Sequence, residues 1–65
     1  MESVISRESF GWDVHLVEYS PYRCDVLDDE RPVRTFRGEC AYMDATRYAT
    51  DLVMSRAYGT PFRGE

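Results

Sequence analysis

The sequence predicts a small α+β domain. It is a two-layer sandwich in which an antiparallel meander of three strands, with a fourth left open, carries one C-terminal helix on one face. Three observations predict it. Short runs with period-two alternation, separated by turn residues, fill the first part of the chain. The pattern changes to a period of 3.6 from about Cys40 onward. The chain has 65 residues, and at this size a protein buries only about 60% of its unfolded surface. Residues 1–65 therefore read as a single domain with one core and little room for a deep pocket.

Residues 1–10 are open between an edge strand, carried by Val4 and Ile5 with Gly11 aiding a turn, and an irregular lead-in. "WDVHLVEY" (12–19) alternates apolar and polar residues and is rich in Val and aromatics, so it reads as a strand. "SPY" turns the chain, because Pro fixes φ and cannot extend a central strand. "YRCDVL" (22–27) is the next strand and "PVRTF" (32–36) the one after, with "DDER" between them as a hairpin loop. Ala41, Ala45, Tyr48, Ala49, Leu52, Val53 and Arg56 then fall on one face of a helix over 40–58. Gly59 is its C-cap, and Pro61 prevents continuation. No strong N-cap stands near 38–40, and residues 60–65 read as a loose tail.

Loop lengths set a register. A three-residue loop at 19–21 places Leu16 opposite Cys24 and Val14 opposite Val26. A four-residue loop at 28–31 places Val26 opposite Val33, Cys24 opposite Thr35 and Asp25 opposite Arg34. The helix then covers a face of Trp12, Val14, Leu16, Cys24, Val26 and Val33. Asp13, His15, Val17, Tyr19, Arg23, Asp25, Leu27 and Arg34 line the other face, which must meet water or a partner. Phe36 has the wrong parity for the core, so the strand is expected to bend there and tuck the ring under the helix edge. A slip of one residue would reverse every assignment.

The net charge is −4, and it is unevenly placed. Residues 1–30 hold eight acids against Arg7 and Arg23; residues 31–65 hold four acids against six arginines. There is no Lys, Asn or Gln, which reads as a GC-rich gene. Nucleic-acid binders are usually basic overall, and this chain is not. No apolar run approaches the roughly 20 residues of a membrane span, and the start lacks the pattern of a secretory signal. The expected compartment is the cytoplasm. Cys24 and Cys40 read as reduced and buried. With His15 as the sole further soft ligand, no zinc pattern can be assembled; no metal or cofactor is called for.

"DVLDDE" (25–30) puts four carboxylates into six positions. A calcium loop needs oxygen ligands at alternate positions and a Gly for its turn; Leu27 interrupts the alternation and no Gly is present. A catalytic carboxylate pair needs surroundings that push its pKa values apart, which an exposed loop does not supply. Two readings stand: a solvated hairpin loop, and a negative surface for a partner. Residues two apart along a strand are about 6.6 Å apart, close to the spacing of phosphates along a nucleic acid. Asp13, Glu18, Tyr19, Asp25, Asp28, Asp29 and Glu30 are the candidate partner-binding set. His15 and Cys24 lie on opposite faces and cannot pair, so no catalytic residue is assigned.

The back of the helix shows Met43, Arg47, Met54 and Tyr58. This is a candidate second contact or self-association face, consistent with a monomer or weak homodimer. The plainer reading is scattered surface apolar residues, with Arg47 paired to Asp44 and Asp51 along the helix. An alternative function is a regulatory module that binds nucleic acid through Arg31, Arg34 and Arg37. Their strand parities differ, and no RNP-like motif accompanies them.

In its length, its lack of a catalytic set, and "DVLDDE" beside "WDVHLVEY", the chain resembles the small acidic inhibitor proteins of phages and mobile elements, in particular anti-CRISPR proteins. The resemblance implies a non-enzymatic inhibitor of a host defence complex. Its partner would be a protein with a basic surface, such as a CRISPR effector subunit, with no direct nucleic-acid contact and no membrane.

Overall fold

A computed structural model describes residues 3–62. Four antiparallel strands, β1 (Ser6–Gly11), β2 (Val14–Ser20), β3 (Arg23–Asp28) and β4 (Arg31–Arg37), form one sheet in chain order. One helix, α1 (Ala41–Tyr58), packs on it. The two-layer α+β meander is the expected architecture, and the open fourth strand is present. Of its predicted range, Met1 and Glu2 lie outside the described residues, and Val4 and Ile5 precede the strand.

Val14, Leu16, Cys24 and Val26 are fully buried under α1. The helix meets them with Ala41, Ala45 and Ala49, all without exposed surface. Alanines at every fourth position remove side-chain bulk along one line, so the helix can lie close on the sheet. Phe10, Phe36, Tyr48, Leu52 and Val53 close the rim. Cys40 precedes the helix without a side-chain cap, as the absence of a capping residue implied. Gly59 takes the left-handed C-cap conformation (φ 68°), a position where a Cβ is disfavoured.

Three bulges revise the register. All three hairpin turns hold two residues: Trp12–Asp13, Pro21–Tyr22 and Asp29–Glu30. Between β2 and β3 the ladder pairs Leu16 with Val26 and Val14 with Asp28, two positions from expectation. An even shift keeps parity, so the predicted faces of both strands survive. Between β3 and β4 the expected register holds for Leu27–Pro32 and Asp28–Arg31. Val33 is then bulged, and beyond it Val26 pairs with Arg34, Asp25 with Thr35 and Cys24 with Phe36. One extra residue reverses the faces of the rest of the strand. Val33 is therefore exposed, Phe36 reaches the core side against Tyr48 (ring centroids 5.6 Å apart), and Asp25 does not face Arg34. The Arg34 guanidinium lies over the rings of Phe36 and Tyr48 instead.

Trp12, expected in the core, is 58% exposed at the β1–β2 turn. Cys40, expected buried, is exposed; Cys24 is buried, and both thiols are free. The tail is less loose than expected at Phe62, whose ring packs edge-on against Tyr48 at 5.0 Å; residues 63–65 lie outside the described residues.

Candidate interaction surface

The β1–β2 and β3–β4 turns stand side by side at one end of the sheet. The Asp29 N–H donates to the Asp13 carbonyl at 3.0 Å and ties them together. Trp12, Asp13, Asp29 and Glu30 have φ of 55°, 62°, 54° and 65°. Positive φ at both central residues is the type I′ requirement, normally met by Asn-Gly or Gly-Gly. For a bulky side chain such as Trp this conformation is an outlier. Strain of this kind, on the order of 1–3 kcal/mol per residue, concentrates at functional sites.

The end of α1 is bolted to the same tips. Arg56 Nη1 donates to the Trp12 carbonyl at 3.0 Å and to Asp28 Oδ1 at 2.8 Å, while Nη2 donates to Asp28 Oδ2. The two-pronged bond holds the Asp28 carboxyl below its usual range, and burial opposes that shift only in part. Glu30 turns over the uncovered sheet face to Arg7, 2.6 Å away, and passes 3.9 Å from His15 Nδ1. Hydrogen bonding to Arg7, then its charge, lowers the Glu30 carboxyl as well. Asp13 and Asp29 make no ion pair among the described residues. The tips thus present an exposed indole beside two carboxylates that make no ion pair among the described residues, of which Asp13 still feels the charge of Arg56.

The other members of the acidic set lie elsewhere. Asp25 is buried on the uncovered face, with Oδ2 3.7 Å from Arg23 Nη2. Tyr19 sits beneath the Arg23 guanidinium at 4.7 Å. Glu18 is half-buried and accepts a bond from Ser6 Oγ at 3.1 Å. The structure therefore gathers Asp13, Asp28, Asp29 and Glu30 at one end, pairs Asp28 and Glu30 with arginines, and keeps Glu18, Tyr19 and Asp25 apart from them. Trp12, which the alternation assigned to the core, is the site residue that the sequence pattern missed. The readable signal was "GWDV", a two-residue turn between alternating runs.

Val17 and Leu27 are buried on the face opposite the helix, although no second layer covers them among the described residues. Their same-face neighbours Arg7, His15, Tyr19, Arg23 and Glu30 shield them with long side chains. The ladder sets Arg31 opposite Asp28 and Arg34 opposite Val26, both on the helix side, and Arg37 opposite Arg23 on the other face, so the three do not form one stripe; Arg34 is engaged with the rings of Phe36 and Tyr48. Cys24, in the core, and His15, on the other face, are separated as expected, and burial pushes the Cys24 thiol up. Among the described residues no group of three His, Cys, Asp or Glu could hold a metal ion, and no helix is long and apolar enough to cross a membrane.

On the outer side of α1, Met43 is 72% exposed, Met54 49% and Tyr58 73%. Arg47, expected to pair with Asp44 and Asp51, makes no ion pair among the described residues. No family model matches this chain, and neither a curated protein nor a solved structure matches it.

Proposed function

We propose that this chain is a small acidic, non-enzymatic interaction protein that inhibits its partner by docking the paired hairpin tips. Trp12 enters an apolar pocket, and Asp13 and Asp29 meet basic residues at its rim. The partner is a protein with a basic, nucleic-acid-binding surface. By the resemblance to anti-CRISPR proteins, a subunit of a host defence complex such as a CRISPR effector is the favoured class. The observation that carries this reading is the exposed indole in a left-handed turn position. An arrangement that disfavours folding and shows a large aromatic to solvent is accounted for by binding, because Trp anchors dominate interface energetics. Asp13 and Asp29, without an ion pair among the described residues, supply steering toward a basic rim, and that attraction weakens with salt.

Asp28 and Glu30 contribute less than their sequence positions implied. Their charges are spent on Arg56 and Arg7, so the electrostatic share of docking rests on Asp13 and Asp29.

The test uses Trp12→Gly. Glycine suits the left-handed turn, so the variant should fold with unchanged stability or a gain of up to about 1 kcal/mol. Its affinity for a partner captured from host lysate and then purified should fall by about 30-fold, the scale of a lost anchor. The chain has one Trp, so docking of the parent should also shift its emission to the blue. Undiminished affinity of Trp12→Gly, or a partner without a basic surface, would sink the reading.

A further inference from the structure

The helix carries a second ordered feature, independent of the hairpin tips. Met43, Arg47, Thr50, Met54 and Tyr58 follow one another at three- or four-residue steps along the side of α1 opposite Ala41, Ala45 and Ala49. All five are exposed. The stripe runs about 22 Å from Met43 to Tyr58 at the helical rise. Its residues are arranged symmetrically along the chain: Met43 and Tyr58 are equidistant from the midpoint between Thr50 and Asp51, and so are Arg47 and Met54. Arg47 and Asp51 also carry opposite charges that find no ion-pair partner among the described residues.

We propose that a second copy of this chain docks on the stripe as an antiparallel helix pair, related by a two-fold axis that passes beside Thr50 and Asp51. Symmetry then makes every contact twice. Met43 meets Tyr58 of the other copy at both ends. Arg47 meets Met54 and reaches Asp51, one helical turn along, so two inter-subunit ion pairs form from side chains that make no ion pair among the described residues of one copy. The antiparallel arrangement keeps Arg47 and Asp51 on the same flank of the seam, where the two Asp51 carboxylates lie either side of the axis, each with the Arg47 guanidinium of the other copy one turn outside it. Shallow depressions of about 400 Å³ lie at each end of the stripe, one lined in part by Tyr42, Met43, Thr46 and Arg47, the other by Asp51, Met54, Thr60 and Pro61. Tyr58 and Met43 of the partner copy fit one depression each, and Met adapts readily to such irregular surfaces.

The surface is 4600 Å², and a tenth of it per partner, about 460 Å² a side, is smaller than a standard specific interface and in the class of weak, transient contacts. The dimer is accordingly weak, with a dissociation constant on the order of 0.1 mM.

Sedimentation equilibrium at low salt over a concentration series tests this. The parent mass should rise from 7.6 kDa toward twice that value. Arg47→Asp and Asp51→Arg should each weaken association at least about tenfold, since each places like charges in opposition twice. The Arg47→Asp/Asp51→Arg double variant should restore it. Met43→Lys, which leaves both charges in place, should also weaken it, and circular dichroism should report an unchanged helix throughout. Three results overturn the proposal: a parent that stays monomeric up to about 1 mM, well above the expected dissociation constant; association indifferent to both single reversals; or single losses that the double variant does not repair.

Discussion

Asp28 and Asp29 are neighbours in the chain and behave as opposites. Asp28 points toward the helix and shares two bonds with Arg56; Asp29 is exposed at the hairpin tip and makes no ion pair among the described residues. Asp28→Asn should therefore cost about 1 kcal/mol at neutral pH, the scale of a charge-assisted bond discounted for partial exposure. The sign with pH follows from the lowered carboxyl pKa. The folded form holds its carboxylate more tightly than the unfolded chain does, so the contribution is fully present above the unfolded value near 4. It is lost as pH falls through the folded value. Urea denaturation of parent and variant at pH 7 and in strong acid should show the difference at pH 7 and its disappearance in acid. A difference that persists unchanged in acid would mean that the ion pair is not its source.

At the scale of the element, α1 was legible because its signals are local. Ala41, Ala45 and Ala49 mark the buried line, and Gly59 with Pro61 marks the end. The three alanines also set how near the helix can lie to Leu16 and Val26, which no periodicity conveys. Ala45→Leu should destabilise the domain by about 1–3 kcal/mol through overpacking, and thermal melting would measure it. A neutral result would mean that the layers are looser than the full burial of Ala45 implies. The strands were legible as elements but not in register. Val33 alone moves Phe36 onto the core side and Arg34 with it, and "PVRTF" contains no mark of which residue will be extruded. Trp12 was assigned to the core for the same reason: its alternation with Val14 and Leu16 is correct as a pattern, yet the chain has already entered the turn at that point.

At the scale of the molecule, one helix covers one face, and long charged side chains protect Val17 and Leu27 on the other. The two cysteines record this layout. Cys24 is fully buried beneath the helix with its thiol pushed up by burial, whereas Cys40 is exposed beside the helix start. A thiol-reactive dye should label Cys40 rapidly in the native protein and Cys24 only on unfolding. Equal rates for both would contradict the packing of the core.

Composition and local period were enough to establish an α+β domain with a charge imbalance, a capped helix and an inward alanine line, since such features depend on residues within a turn or two of one another. The three-dimensional arrangement was needed to assign charge and exposure. Arg7 meets Glu30 and Arg56 meets Asp28 across separations of 23 and 28 residues. Those pairs engage two of the four carboxylates gathered at the hairpin tips, while the left-handed β1–β2 turn lifts Trp12 out of the core. Ion-pair partners and bulge positions are contests among distant groups for the same space, and only the folded chain resolves them.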